Sequence, residues 1–218
     1  VANGLKQVKG QHGPASIGLL ASPHSTLEEL HLAGALVKGL GSLNLDARLR
    51  HAEFAPDEGV RYLGTSIASL SELQRVLVVG SNLRKDHPLF AQRIRQAVRK
   101  GCAVSSLQDR SMDWAMPVAH TLLADASIWV QALAGVAAAV AAQKGVEAPV
   151  PGTVSDETRA IASSLLGGER KAILLGNAAA HHGKASSLLA LANWIGSQTG
   201  ASVGYLCEAA NTVGAQVA

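Results

Sequence analysis

Residues 75–100, RVLVVGSNLRKDHPLFAQRIRQAVRK, decide how the rest of the chain is read. Val76, Leu77, Val78 and Val79 form an apolar run too short for a stable helix and suited to a strand covered on both faces. Gly80, Ser81 and Asn82 end that strand with residues that tolerate tight turns and offer polar side chains. Pro88 stands where a helix would begin, because its missing N–H costs nothing in a first turn. Beyond it Phe90, Ile94, Ala97 and Val98 recur at helical spacing, while Arg93, Gln96, Arg99 and Lys100 face elsewhere. Gly101 stops the helix and Ala103-Val104 opens another apolar run. The stretch is a strand–loop–helix–strand unit, and the chain reads as repetitions of it.

The chain of 218 residues can form one sizeable core or two small lobes. It is 48% hydrophobic but only 3% aromatic, which favours close helix–sheet packing over a bulky core. A net charge of +3 comes from scattered Lys and Arg without a basic run, so nucleic acid is not an expected partner. Cys102 and Cys207 are far apart and neither sits in a C-x-x-C pair, which argues against metal or cluster binding by this chain. A bridge between them is an alternative to the favoured reading, two buried free thiols. The chain begins Val-Ala-Asn, with no basic segment leading into an apolar one; this predicts no signal peptide, and the missing initiator Met points to an excised fragment. The longest uncharged run, residues 126–143, approaches membrane-spanning length but is mostly Ala with two Gln, so a helix buried on a sheet is expected.

Further units are expected along the chain. Residues 1–14 read as a polar lead-in and residues 16–21 as a buried strand. A helix follows over 27–40, with capping-box spacing at Ser25/Glu28 and Thr26/Glu29, and with Gly34 admitting a close backbone approach. Residues 56–59 read as a surface turn, 108–114 as loop, 117–123 as a short strand, 128–143 as the Ala-rich helix and 145–152 as linker-like. Ser155 caps a helix over 156–166; strand 171–176, loop 177–184, helix 185–198 and strand 203–207 follow, and the tail from 208 lacks periodicity. Units starting near Ser16, Arg75 and Lys171 imply parallel strands with right-handed crossovers: a Rossmann-like α/β fold with helices on both sheet faces. Ligands of such sheets lie beyond the carboxyl ends of the strands, which points to loops 22–26, 80–87 and 176–184.

No complete active site emerges from those loops. Residues 176–184, GNAAAHHGK, fail the P-loop pattern in spacing and in the residue after Lys184. There is no G-x-G-x-x-G after any of the strands and no G-x-S-x-G elbow. His181 and His182 read as exposed loop histidines, His87 as a helix-entry residue that could touch a phosphate, and the basic residues of 93–100 as a solvated face.

Two blocks nevertheless carry a resemblance. Residues 19–50, LLASPHSTLEELHLAGALVKGLGSLNLDARLR, resemble the molybdopterin oxidoreductases where a helix leads into G-[ST]-x-N-x-D-x-R. Residues 76–88, VLVVGSNLRKDHP, resemble that family's strand followed by G-x-N-x-x-x-x-H-P, and residues 171–215 match more loosely. Within the superfamily the chain is most similar to the G-subunit family of NADH:quinone oxidoreductases, chiefly through LGSLNLDARLRH at 40–51. The resemblance implies a lobe at residues 51–207 inserted into another lobe made of 1–50 and the tail 208–218. It also implies cofactor contacts at Gly80, Ser81, Asn82, His87 and Asn177.

Three departures weaken the implied cofactor. Residues 47–56, ARLRHAEFAP, offer no Cys, Ser or Asp as a molybdenum ligand. Gln108-Asp109-Arg110 stands where guanine-binding members commonly have Asp-Pro-Arg, and Asn177-Ala178-Ala179-Ala180 replaces glycine-rich contacts. The expectation is a vestigial site: no catalytic residue, no metal ligand and no cofactor in this fragment, with iron–sulfur clusters elsewhere in the parent subunit. Its partners would be the other subunits of a respiratory NADH dehydrogenase on the cytoplasmic side of the inner membrane, without membrane insertion. The alternatives are an active domain holding a molybdopterin guanine dinucleotide, or a free-standing nucleotide-binding protein.

Overall fold

The run at Val76 becomes the middle of a parallel sheet in the computed structural model, which describes residues 1–48, 50, 53 and 59–218. Contacts divide the chain into two compact units, Ala52–Glu208 and Val1–His51 with Ala209–Ala218. In the larger unit, strands β3 (Arg75–Val79), β4 (Ala103–Gln108), β5 (His120–Leu123), β6 (Lys171–Leu175) and β7 (Ser202–Tyr205) lie in the order β5-β4-β3-β6-β7, all parallel. This is the doubly wound order, with the direction of winding reversing between β3 and β6.

Alternate residues of the central strands feed two cores. Leu77, Val79, Leu107, Ile173 and Leu175 pack with α5 (Trp129–Lys144), α6 (Asp156–Leu166) and α8 (Ala185–Thr199). Val76, Val78, Val104, Ala172 and Leu174 pack with α4 (Pro88–Arg99) on the other face. Each fully buried aliphatic side chain contributes about 1.5–3 kcal/mol relative to exposure, so the sheet and the helices packed on it stabilise the unit together. Residues 126–144 have the length and apolarity of a membrane span, yet Leu133, Val136, Ala137 and Val140 of α5 are core residues beneath the sheet. The stretch after α5 is no free linker. A Cβ on Gly135 would lie 2.4 Å from Thr153 O and one on Gly152 2.3 Å from Ala134 O, so residues 152–153 lie directly on the helix. The outer edge of β7 is covered as well, since Tyr205 N donates to Tyr62 O at 2.7 Å.

The smaller unit holds α1 (Ala2–His12), β1 (Leu19–Leu20), α2 (Leu27–Gly39), β2 (Leu45–Asp46) and α9 (Thr212–Val217). β1 and β2 pair parallel, so the first expected unit has its own short sheet. Thr26 forms the capping box with Glu29, at 3.2 and 2.9 Å, and Ser25 does not. The block that resembles the family's G-S-x-N-x-D-x-R is used structurally here. Gly41 turns at φ 89°, Ser42 Oγ donates to Ile17 O at 2.6 Å, Asn44 Nδ2 donates to Ala15 O at 2.8 Å, and Asp46 holds Arg48 at 2.7 Å.

Several expectations are corrected. The lead-in is helix α1, missed because none of its residues is buried and no apolar stripe marks it. The strand expected at 16–21 shrinks to Leu19–Leu20, because Pro14–Ser16 forms a single 3₁₀ turn. A Cβ on Gly34 would touch nothing, so that glycine serves no close approach. The loops after β3 and β6 contain one-turn helices, α3 (Leu83–Asp86) and α7 (Asn177–Ala180), and the tail contains α9. The turn expected at 56–59 lies, apart from Gly59, outside the described residues, as does most of the stretch read for a molybdenum ligand. Cys102 and Cys207 are both free thiols.

Candidate functional site

The loops following β3 and β6 meet where the winding reverses, the position at which open α/β sheets usually take ligands. They are locked together. Gly80 sits at φ 64°, and a Cβ there would fall 2.7 Å from the Trp129 ring and 2.8 Å from Ala179 N. A Cβ on Gly176 would fall 2.2 Å from Ser81 Cβ and 2.5 Å from Gly80 O. The glycines therefore serve chain-on-chain approach.

The backbone donors of both loops are largely engaged within the chain. Gly176 N donates to Val79 O at 2.8 Å, Ala178 N to Gly80 O at 3.0 Å, Ala180 N to Gly176 O at 2.9 Å and His181 N to Asn177 O at 3.0 Å. At the start of α8, Lys184 N donates to His182 Nδ1 at 2.9 Å and Ser186 N to the Glu53 carboxylate at 3.0 Å. On the β3 side Gly80 N donates to Leu107 O at 3.0 Å, and Asn82 N to Asp86 Oδ2 at 3.0 Å. A phosphate cradle needs such N–H groups turned outward; here most of them point at protein acceptors.

The expected site residues divide into two sets. Ser81, His87 and Asn177 come together at the ends of β3 and β6, and Ser81 Oγ, His87 Nε2 and Asn177 Oδ1 are buried without a hydrogen-bond partner. Burial pushes the His87 imidazole below its usual range; the Asp86 charge and the nearby Asn177 amide oppose that shift. The ring stacks on Phe90, centroids 6.0 Å apart. Gly80 and Asn82 instead shape the chain, the first as a left-handed turn and the second as the cap of α3. Gln108, at the end of β4, donates from Nε2 to Ser81 O at 3.1 Å, while its Oε1 is buried and unpartnered. Loop 22–26 lies in the smaller unit, where Asn211 donates to Pro23 O at 2.9 Å and to Ser25 O at 2.8 Å.

His181 and His182 are not bare loop histidines. His181 Nε2 lies 3.1 Å from Glu208 Oε2, and both side chains are half-buried. His182 Nε2 is 2.9 Å from Ala126 O, and its ring stacks on Trp129 at 6.1 Å between centroids. Arg61, itself buried, donates to Ala180 O at 3.0 Å and to Glu53 O, with its guanidinium 4.9 Å above the Tyr205 ring. Backbone and side-chain hydrogen bonds from Ser186 hold the Glu53 carboxyl below its usual range, helped by the charges of Arg61 and His182. Glu53, Arg61, Trp129 and Glu208 escape the sequence reading because each is remote in sequence from the loop it secures. Among the described residues no group of three His, Cys, Asp or Glu side chains could hold a metal ion.

The sequence pattern of the family described as Molybdopterin oxidoreductase matches residues 1–217. The probable oxidoreductase YjgC of Bacillus subtilis (strain 168) is 31% identical over 104 residues, 44% of this chain and 11% of that protein. A nitrate reductase of Klebsiella oxytoca is 31% identical over 102 residues, 44% of this chain and 12% of that one. The G subunit of the NADH-quinone oxidoreductase of Rickettsia felis is 30% identical over 102 residues, 46% of this chain and 15% of that one. The chain thus spans a small part of the length of these relatives. A chain of the formyltransferase/hydrolase complex of Methylorubrum extorquens, crystallised with methylofuran, shares the fold over 93% of this chain and 57% of its own, with a TM-score of 0.58 and 18% identity. With a match running almost from end to end, the chain belongs to the molybdopterin oxidoreductase family.

Proposed function

We propose that the chain is part of the G subunit of a respiratory NADH:quinone oxidoreductase, where the family's fold serves as a scaffold without its cofactor. The supporting observation is the engagement of loop amides at the ends of β3 and β6, together with the Glu53 carboxylate on Ser186 N. A pterin dinucleotide would need such donors for its phosphates, so their engagement supports the scaffold reading, and no catalytic step is derived through that group. In this reading electrons pass through iron–sulfur clusters elsewhere in a longer polypeptide. The partners are other subunits of the complex, on the cytoplasmic side and peripheral to the inner membrane. The test is molybdenum and pterin analysis of the chain purified from cells that make the cofactor. Only trace amounts are expected, and stoichiometric molybdenum with a pterin would overturn the proposal.

A second reading, a domain that still holds a molybdopterin guanine dinucleotide, is favoured by the unpartnered buried atoms of Ser81, His87 and Asn177. The same analysis separates the two. A nucleotide bound to the native state without molybdenum would instead raise the melting midpoint with guanine nucleotides alone.

A further inference from the structure

The amino edge of the five-stranded sheet gathers positive charge. Arg75 and Lys171 open β3 and β6 and are paired in register, so their side chains leave the sheet on the same face. That face is the one covered by α5, α6 and α8, since Leu77, Val79, Ile173 and Leu175 follow at alternate positions and pack there. Crossover helices run back against parallel strands, which brings the ends of α5 and α8 to the amino ends of the strands. Lys144, the last residue of α5, donates from Nζ to Gln198 O at 2.6 Å and to Gln198 Oε1 at 3.1 Å, beside the end of α8. The end of α6 arrives here too, as a Cβ on Gly167 would lie 3.7 Å from Arg75 Nη2.

Carbonyl groups engage two of the three cations. Lys144 is held by Gln198, and Arg75 Nη1 donates to Gln74 O at 2.7 Å. Lys171 differs. It is only 9% exposed, and among the described residues its ammonium has no hydrogen-bond or ion-pair partner. Burial, and then the charges of Arg75 and Lys144, push that ammonium below its usual range, and no carboxylate opposes them. Glu72, at the turn before β3, is paired with Lys100 instead. A largely desolvated cation beside two like charges is unfavourable until a negative group joins it. We propose that Lys171 and Arg75, backed by the charge of Lys144, bind a small tetrahedral oxyanion of the phosphate class at the amino edge of the sheet. This edge is opposite the loops of the candidate site, so anion binding here does not depend on either reading of those loops.

Inorganic phosphate, titrated into the full chain near neutral pH at constant ionic strength with chloride as the balancing salt, is followed by ¹H–¹⁵N NMR. Saturable shifts are expected at the amides of residues 74–76, 144–145 and 167–172, and chloride alone should give none. Lys171→Met should weaken binding at least about ten-fold, as the loss of a charge-assisted hydrogen bond does, whereas Lys171→Arg should retain it. Dimethyl phosphate, with a single charge, should bind more weakly than inorganic phosphate. No saturable shift, shifts reproduced by chloride, shifts centred on the loops after β3 and β6, or an unchanged affinity in Lys171→Met would each overturn the proposal. Binding to phosphatidic-acid vesicles without binding of inorganic phosphate would overturn it as well, since the anion would then be read only on a lipid surface. The comparison of phosphate with chloride in the parent chain decides the matter even if a variant does not fold.

Discussion

Placing one methyl group on Gly176 tests the joint between the two loops. The backbone of Gly176 is extended, at φ −89°, so alanine meets no dihedral strain and the cost is steric alone. The new Cβ would stand 2.2 Å from Ser81 Cβ, 2.8 Å from Ser81 Cα and 2.5 Å from Gly80 O, and two of those three neighbours are backbone. Overpacking against atoms that cannot rotate away costs about 1–3 kcal/mol, and the upper end is expected here. For a chain of this size about 3 kcal/mol lowers the midpoint of thermal unfolding by about 6–12 °C. Urea unfolding followed by tryptophan fluorescence would read the loss in the relevant unit, which holds Trp114, Trp129 and Trp194. Ser81→Gly should restore part of it by removing the Cβ while leaving the clash with Gly80 O, with a coupling of about 0.5–3 kcal/mol in a double-mutant cycle. A Gly176→Ala variant within about 0.5 kcal/mol of the parent, the range of an ordinary surface change, would refute the interlock.

Other outcomes follow from the same packing. The imidazole of His87 is held below its usual range, so the unfolded chain takes up its proton first as pH falls; stability from this group is full above about pH 6.5 and is lost as pH drops towards the folded value. His87→Gln should flatten that acid-side decline in urea midpoints measured from pH 7.5 to 5. Trp129→Ala removes a buried ring that covers Gly80 and stacks on His182, and should cost about 3–5 kcal/mol by denaturant unfolding. Thr26→Ala breaks the capping box of α2 and should cost about 1 kcal/mol, read as faster amide exchange in the first turn of that helix.

The larger unit is legible where burial leaves a mark on the order of residues. β3 and β6 read as short apolar runs because both of their faces are covered, and α4 shows its start through Pro88 and its end through Gly101. The Ala-rich helix reads as core despite its membrane-like composition, and core it is. Helix α1 escapes because it packs no side chain inward, and α3 and α7 because a single turn leaves no period to detect. At the candidate site, Ser81, His87 and Asn177 are reachable through the loops that carry them. Arg61 and Glu53 are not, since their partners Ala180 and Ser186 lie more than a hundred residues away and only the folded chain joins them. The histidine pair misleads for the same reason, as Glu208 becomes a neighbour of His181 only once β7 has been laid down.

Strand β3 is apolar at four successive positions, Val76–Val79, which removes a safeguard that amphipathic strands possess. In a strand with one wet face, a slip of one residue buries polar groups and is rejected at once. Here a slipped β3 would still present valine or leucine to each core, so hydrophobicity barely distinguishes the correct alignment from its neighbour. The fit of Gly176 against Ser81 and of Gly80 against Trp129 supplies the missing discrimination, because a displaced strand would bring side chains where only hydrogens fit. These glycines thus act as an indexing notch for the whole sheet, which gives a reason to retain them whether or not anything binds above it.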